Sequence, residues 1–125
     1  MVSAPMQKTV AQLLGSKGSA IWSIVPDASV FEALELMAEK NVGALVVVES
    51  GTLVGIMSER DYARKVILVD RGSKNTTVSD IMTANPVTVS PETTVTECME
   101  LMTTNRFRHL PVVADGELQG LVSIG

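Results

Sequence analysis

Ser58 and Asp61 have residue types and a spacing that suit the binding of a phosphorylated sugar. They lie three positions apart in the stretch GIMSERD (residues 55–61), where an apolar run gives way to a helical one. A helix start attracts phosphate through unpaired backbone N–H groups, and an ionised aspartate accepts hydrogen bonds from ribose hydroxyls. A serine followed three positions later by an acidic residue also forms a capping box, which is a structural feature. Taken alone, the pattern favours the structural interpretation.

A phosphorylated ligand beside Asp61 would need cations nearby, because a carboxylate repels phosphate. Five of the ten lysines and arginines fall between residues 60 and 74. Arg60 adjoins the predicted helix start, and we expect it near the ligand. The other four are expected on a solvated helix face: Arg64, Lys65, Arg71 and Lys74.

The composition argues against catalysis and against nucleic-acid binding. A net charge of −4 does not provide the concentrated cationic surface that nucleic acid requires. With one histidine (His109), one cysteine (Cys98) and no spaced cluster of ligands, the sequence shows neither a catalytic constellation nor a metal site. A lone cysteine cannot form an intrachain disulfide, and no run is apolar enough to span a membrane. The cytoplasm is the expected compartment.

The chain contains an internal repeat. A shift of 65 residues aligns residues 23–58 with residues 88–123 without a gap, and 13 of the 36 aligned positions are identical. A shorter similarity lies upstream, where TVAQLL (residues 9–14) resembles TVSDIM (residues 77–82) at a shift of 68. Two copies of one supersecondary unit are therefore expected.

Each copy predicts the element order β-α-β-β-α, which is an α+β fold. A short strand, at residues 22–25 and again at 87–89, precedes a Pro-acidic helix start. Apolar residues then recur at spacings of three and four, which predicts one buried stripe on each helix. The stripes comprise Val30, Ala33, Leu34 and Met37 in the first copy and Val95, Cys98, Met99 and Met102 in the second.

Two strands follow the helix in each copy. They are predicted at residues 44–48 and 53–57, and at residues 109–114 and 118–122. The connections ESGT and ADGE contain glycine, which tolerates the positive φ of a tight hairpin. After Ser58 the first copy continues into a predicted helix, ERDYARKVILV, whereas the second copy reaches the last residue two positions after Ser123.

These features together resemble a tandem pair of CBS domains, also called a Bateman module. The resemblance covers residues 9–125 and rests on the TV motifs, the Pro-acidic helix starts, the run RHLPVV (residues 108–113) and the stretch GIMSERD. It implies an α+β fold of two β-α-β-β-α repeats, related by a pseudo-twofold axis and packed through their sheets. It also implies a homodimer and two clefts that bind AMP, ADP, ATP or NAD(H), with S-adenosylmethionine less expected and no metal required.

The resemblance assigns roles to particular residues. It gives Asp61 to the ribose and Ser58 to the phosphate, with Arg60 close by. Arg108 and His109 would reach across the pseudo-twofold axis to the phosphate of the same ligand. The adenine would lie against residues from the first strand and from the start of the second, namely Ile21, Trp22, Val42 and Ala44. Trp22 could equally anchor the first strand to the core or to a dimer partner.

A second cleft would use four residues at equivalent places, Thr83, Asn85, Val87 and Ser123. It is expected to be the weaker one for two reasons. The counterpart of the cationic pair is Gly43-Ala44, and the counterpart of Asp61 is position 126, beyond the sequence. We therefore expect unequal clefts, of which only the first accepts a phosphorylated nucleotide well.

Two functions are compatible with this interpretation. The first is a regulatory module that senses an adenosyl nucleotide and signals through an effector protein; the alternative is a ligand-free dimerisation or scaffold module. Enzymatic activity is not expected. The domains are predicted at residues 1–75, the first repeat with an N-terminal helix, and at residues 76–125, the second repeat without its C-terminal helix.

Overall fold

The computed structural model describes residues 8–17, 21–67, 72–106 and 108–123. The chain divides into two compact units. We call Trp22–Pro86 the middle unit, and Met1–Ile21 together with Val87–Gly125 the terminal unit. Each unit combines helices with an antiparallel hairpin. The predicted α+β class and its repeated organisation are confirmed.

The helices and strands follow the predicted order. In chain sequence they are α1 (Val10–Lys17), β1 (Ser23–Ile24), α2 (Val30–Lys40), β2 (Ala44–Glu49), β3 (Thr52–Ser58), α3 (Glu59–Tyr62), α4 (Val78–Ile81), β4 (Thr83–Ala84), α5 (Val95–Asn105), β5 (His109–Ala114) and β6 (Glu117–Ser123). A π-helical segment, Ala63–Ile67, continues α3, and a 3₁₀ turn, Ser73–Asn75, precedes α4.

The sheets reproduce the predicted hairpins. The middle unit has a sheet in the order β1-β2-β3-β4, in which β1 is parallel to β2 and the other pairs are antiparallel. The terminal unit has the hairpin β5-β6. Both hairpin turns have positive φ at their central residues, 52° and 79° at Ser50 and Gly51, and 52° and 78° at Asp115 and Gly116. This is the turn geometry that matches the twist of the flanking strands.

Both long helices begin with a capping box. Ser29 accepts from the backbone of Glu32 at the start of α2, and Thr94 accepts from the backbone of Glu97 at the start of α5. In each pair the glutamate also accepts from the backbone N–H of the capping residue. The predicted Pro-acidic segments therefore lead into helices as expected, because local side chains satisfy the first backbone donors.

The strand expected at residues 87–89 is reduced to one parallel bridge, between Val89 and Val112. Val89 keeps two backbone hydrogen bonds to the neighbouring strand, of 3.0 and 2.9 Å. In the 65-residue alignment Pro111 replaces Val46, whose N–H donates to Trp22 in the first repeat, and a proline has no N–H with which to make the equivalent bond to Val87.

The helix expected after Ser58 is α-helical only over Glu59–Tyr62, before it widens into the π-helical segment. Residues 68 and 69, which the prediction included, lie outside the described residues.

Each unit has its own apolar core. The core of the middle unit comprises Ala28, Val30, Ala33, Met37, Leu45, Val47, Met57, Val66, Val78 and Ile81. The core of the terminal unit comprises Val10, Val89, Cys98, Met102, Leu110, Val112 and Val122. Most of the predicted helix stripes are found in these two sets.

Met99 is an exception, and its predicted burial is wrong. Its side chain is 51% exposed. Cys98 and Met102, one helical turn apart, point into the core of the terminal unit, and position 99 lies about 100° around the helix from Cys98. It therefore falls at the margin of the buried stripe.

The TV motifs are exchanged between the repeats. We call residues 9–14 and 77–82 the closing segments. The N–H of Val10 donates to the carbonyl of Thr93 at 2.8 Å, and the N–H of Val78 donates to the carbonyl of Ala28, also at 2.8 Å. The closing segment at residues 9–14, which precedes the first repeat, thus binds the helix start of the second repeat. The closing segment at residues 77–82, which precedes the second repeat, binds the helix start of the first.

Because of this exchange, the boundaries of the two packing units differ from the predicted domain boundary at residue 75. α1, which the prediction grouped with residues 1–75, packs in the terminal unit, since Val10 belongs to that core. Residues 76–86 pack in the middle unit, where Val78 and Ile81 are fully buried. Sequence repeat and packing unit are therefore different divisions of the chain.

The exchange also accounts for a repeated glycine. A Cβ atom on Gly55 would lie 2.5 Å from the sulfur of Met82, and one on Gly120 would lie 2.8 Å from Cδ2 of Leu14. Leu14 and Met82 are equivalent positions of the two closing segments. Glycine leaves room at both places for a side chain of the closing segment.

Val10→Ala and Val78→Ala should have separate effects on the two units. Each removes fully buried methyl groups and is expected to cost about 2 kcal/mol. Hydrogen exchange should rise mainly in β5 and β6 for Val10→Ala, and mainly in β2 and β3 for Val78→Ala. The reverse assignment would contradict the exchanged packing.

Gly55→Ala should destabilise the protein by about 1–3 kcal/mol, because the new methyl group overlaps Met82. Gly15→Ala is the control, since a methyl group on that residue of α1 would meet no neighbouring side chain or strand of the described residues within 4 Å. It should stabilise by about 0.5–1 kcal/mol through helix propensity. Urea unfolding measures both, and equal losses would show that the close approach at Gly55 is absent.

Candidate functional site

Ser58 and Asp61 form a capping box at the junction of β3 and α3. The N–H of Ser58 donates to Oδ2 of Asp61 at 2.9 Å, and its hydroxyl lies 3.1 Å from the same oxygen. The N–H of Asp61 lies 3.2 Å from Oγ of Ser58. The structural interpretation of this pair is confirmed. The same contacts fix both side chains at the strand end.

The second carboxylate oxygen of Asp61 faces a lysine. Nζ of Lys65 lies 3.4 Å from Oδ1 and also donates to the carbonyl oxygen of Ile81 at 2.9 Å. The Asp61 side chain is 15% exposed and that of Lys65 is 46% exposed. Lys65 was expected on a solvated face, so sequence reasoning missed its contacts. Its i, i+4 spacing from Asp61 was the available signal.

The other cations of the run differ from one another. Nζ of Lys74 lies 4.8 Å from the centroid of the Phe31 ring. Lys74 was expected on a solvated helix face, and this contact was not predicted. Arg60 and Arg64 have exposed side chains, as a helix face predicts. Arg71 lies outside the described residues.

The backbone of residues 42–44 lies beside this helix start. Ala44 is directly opposite Ser58 in the ladder of β2 and β3. The intervening Gly43 accepts a backbone hydrogen bond of 3.0 Å from Glu59, the first residue of α3. The backbone of residues 42–44 is therefore held against the same strand-to-helix junction as Ser58.

Trp22 lies on the other side of β2. Its carbonyl accepts from the N–H of Val46 at 3.3 Å, so Trp22 is about 10 Å, two strand spacings, from β3. The indole is 38% exposed, and Nζ of Lys40 lies 4.4 Å from its centroid. Ile21, the residue before it, is counted with the terminal unit. Trp22 is thus not adjacent to Ser58.

Arg108 and His109 belong to the terminal unit. His109 begins β5 and is half-buried, and it is directly opposite Ser123 in the ladder of β5 and β6. This pairing repeats that of Ala44 with Ser58, as the 65-residue alignment requires. Arg108, one residue before the strand, is exposed.

The four residues predicted for a second cleft are divided between the units. Thr83, in β4, pairs with Ile56 of β3. The backbone N–H of Asn85 donates to the carbonyl of Val54 at 3.3 Å, and Asn85 has a φ of 50°. Both lie in the middle unit. Val87 and Ser123 lie in the terminal unit, where each is exposed.

An open groove of about 640 Å³ lies on the terminal unit. It is lined by Thr88, Val89, Ser90, Thr93, Glu97, Glu100, Leu101, Thr104 and Val113. None of these residues was predicted as a site residue. The groove carries two carboxylates and several hydroxyls, without a positive charge among its lining residues.

Cys98 has the environment of a core residue. Burial raises the pKa of its thiol, and the neighbouring charge of Glu97 raises it further. Hydrogen bonds from Thr94 to Glu97 lower the pKa of that carboxyl. The thiol is therefore protonated at neutral pH, which argues against a role as nucleophile.

Neither a metal centre nor a membrane span is found in the part of the chain that the structure describes. Its histidine, cysteine, aspartate and glutamate side chains form no group of three or more that could hold a metal ion. Its helices are also too short or too polar to cross a membrane.

Comparison with known proteins defines the family. The sequence profile described as CBS domain matches residues 19–68 and 78–125. The two matches correspond to the two repeats and together cover more than half of the chain. The chain therefore belongs to the CBS domain family, and it contains a tandem pair, which confirms the resemblance drawn from the sequence.

Individual relatives agree with this assignment. The mitochondrial CBS domain-containing protein CBSX3 of Arabidopsis thaliana is 46% identical over 127 residues; the match covers 94% of this chain and 61% of that protein. The solved structure of a CBS-domain protein of Burkholderia ambifaria, described as a signal-transduction candidate, has a TM-score of 0.91 at 50% identity, covering 94% of this chain and 89% of that one. A CBS-domain protein of Agrobacterium tumefaciens has a TM-score of 0.89 at 38% identity, with 94% of each chain covered.

Proposed function

We propose that this chain is a regulatory module that binds an adenosyl nucleotide and passes its signal to an effector protein. The observation that carries the proposal is the Asp61 carboxylate, which the backbone of Ser58 holds at the strand-to-helix junction and which is partly exposed. A fixed carboxylate that retains exposure is a suitable acceptor for ribose hydroxyls. The proposed ligands are AMP, ADP, ATP and NAD(H), and S-adenosylmethionine is a lesser candidate because it lacks phosphate.

Charge near Asp61 supports a ligand that carries phosphate. Lys65 lies beside Oδ1 and pairs with the carboxylate. Arg60 is exposed on the first turn of α3, and the proposal includes it as a phosphate partner. Ser58, Val42 and Ala44 complete the part of the ligand site that we assign to the middle unit.

Regulation is proposed in preference to catalysis. Among the described residues, the buried, protonated Cys98 lacks the features of a nucleophile. The description of the Burkholderia relative as a signal-transduction candidate points in the same direction. We propose the cytoplasm as the compartment, while noting that the Arabidopsis relative is described as mitochondrial.

A scaffold function without ligand is the second candidate, and two observations favour it. A CBS-CP12 protein of cyanobacteria, with a TM-score of 0.85 and 29% identity, is described as hexameric. Large apolar side chains are exposed on the middle unit, among them Trp22, Val25 and Phe31. Association of two copies would cover such residues, so the proposal includes a homodimer.

A thermal-shift screen with AMP, ATP, NAD and S-adenosylmethionine distinguishes the two functions. A ligand at a hundredfold excess over its Kd stabilises the folded state by about 2.7 kcal/mol. For a chain of this length that is a rise in Tm of roughly 10 °C. No rise with any of the four would favour the scaffold.

Asp61→Asn should weaken binding of the active nucleotide about tenfold or more, because a charged acceptor is lost. Asp80→Asn is the matched control, since Asp80 occupies the same place in the capping box of Thr77 at α4. It should lower stability to a similar extent and leave the Kd unchanged. Equal losses of affinity in both variants would assign the effect to folding instead of to the ligand.

The clefts should be unequal. Calorimetry with AMP is expected to give one tight site, and Arg108→Ala should weaken it while affecting adenosine, which has no phosphate, much less. His109→Ala should act in the same direction. Two equal AMP sites per chain would contradict the proposed weakness of the cleft assigned to Thr83, Asn85, Val87 and Ser123.

A further inference from the structure

Lys65 connects the candidate ribose acceptor to the core of the middle unit. Its ammonium lies 3.4 Å from Oδ1 of Asp61 and 2.9 Å from the carbonyl oxygen of Ile81. Ile81 is separated from Lys65 by sixteen positions in the chain. The contact therefore joins the segment that follows α3 to the end of α4.

The Ile81 end of this connection is rigidly placed. Ile81 is fully buried and belongs to the core of the middle unit. It is the last residue of α4, where a helix leaves carbonyl oxygens without an intrahelical partner. Lys65 supplies a donor for that oxygen.

The two oxygens of Asp61 have different surroundings. Oδ2 is engaged by the N–H and the hydroxyl of Ser58. Oδ1 faces Lys65. The terminal torsion of an aspartate is broad, so a carboxylate held through Oδ2 alone can still move its other oxygen. A second contact at Oδ1 restricts that movement.

We propose that Lys65 is a positioning residue, which holds Oδ1 of Asp61 where this oxygen, left free by Ser58, can accept from a ribose hydroxyl. The inference rests on the proposed nucleotide function and adds a residue that determines selectivity for the sugar. Lys65 acts through Asp61 and through its anchor on Ile81, without a contact to the ribose of its own.

A purely structural role predicts something else. The Lys65 side chain is nearly half exposed and its ion pair is long, and such pairs contribute little to stability. Loss of Lys65 should therefore lower the Tm by only the few degrees that its hydrogen bond to Ile81 contributes. The loss should appear in how well the site distinguishes a ribose from a sugar without the two hydroxyls.

The experiment compares AMP with 2′,3′-dideoxy-AMP in calorimetry. The wild-type protein should prefer AMP about tenfold or more, since hydrogen bonds to a charged group are strong. Lys65→Met should lose most of that preference by weakening AMP about five- to tenfold while changing the dideoxy ligand less than twofold. Lys65→Arg should restore much of the preference, because its guanidinium can also reach both oxygens. Arg64→Met, a neighbouring exposed cation, is the control and should behave as wild type.

The outcomes distinguish the positioning role of Lys65 from the proposed nucleotide binding. If the wild type binds neither ligand, the proposed function fails and the role of Lys65 fails with it. If the wild type prefers AMP and Lys65→Met keeps the preference, nucleotide binding stands and the positioning role is overturned. Equal weakening of both ligands by Lys65→Met would also overturn it, because the lysine would then act on the phosphate.

Discussion

The structure depends on a crossed set of backbone hydrogen bonds. The N–H of Val10 donates to Thr93 and that of Val78 to Ala28, each at 2.8 Å. The segment before the first repeat therefore completes the second repeat, and the segment before the second repeat completes the first. Both valines are fully buried. Backbone pairing fixes where each closing segment lies, and the glycine opposite it, Gly120 or Gly55, provides the space. Neither sequence repeat is a packing unit by itself.

The candidate site is supported by the same packing. The closing segment of the middle unit ends α4 at Ile81, and Ile81 holds Lys65. Lys65 in turn faces the second oxygen of Asp61, whose first oxygen is bonded to Ser58. A fully buried helix end is thus linked, through one flexible side chain, to a partly exposed carboxylate.

The sequence predicts most of what is decided locally. Capping boxes and hairpin glycines act within four residues, so Ser58 with Asp61 and Gly51 with its turn were identifiable. Partners distant in the chain were not. The 68-residue similarity shows that Val10 and Val78 are equivalent but not which repeat each one completes. The contact of Lys65 with Ile81 depends on that choice, and the exposure of Met99 depends on how its helix faces the core.

The order of the units along the chain has a consequence for synthesis. The middle unit, Trp22–Pro86, is continuous and lies between the two parts of the terminal unit. A ribosome therefore releases every residue of the middle unit before the first strand of the terminal hairpin. α1 is made first, yet Val10 can bury its side chain only when Cys98, Leu110 and Val112 have followed. Its apolar face stays without its core until those residues have been made, and exposed surface of that kind favours association with other chains.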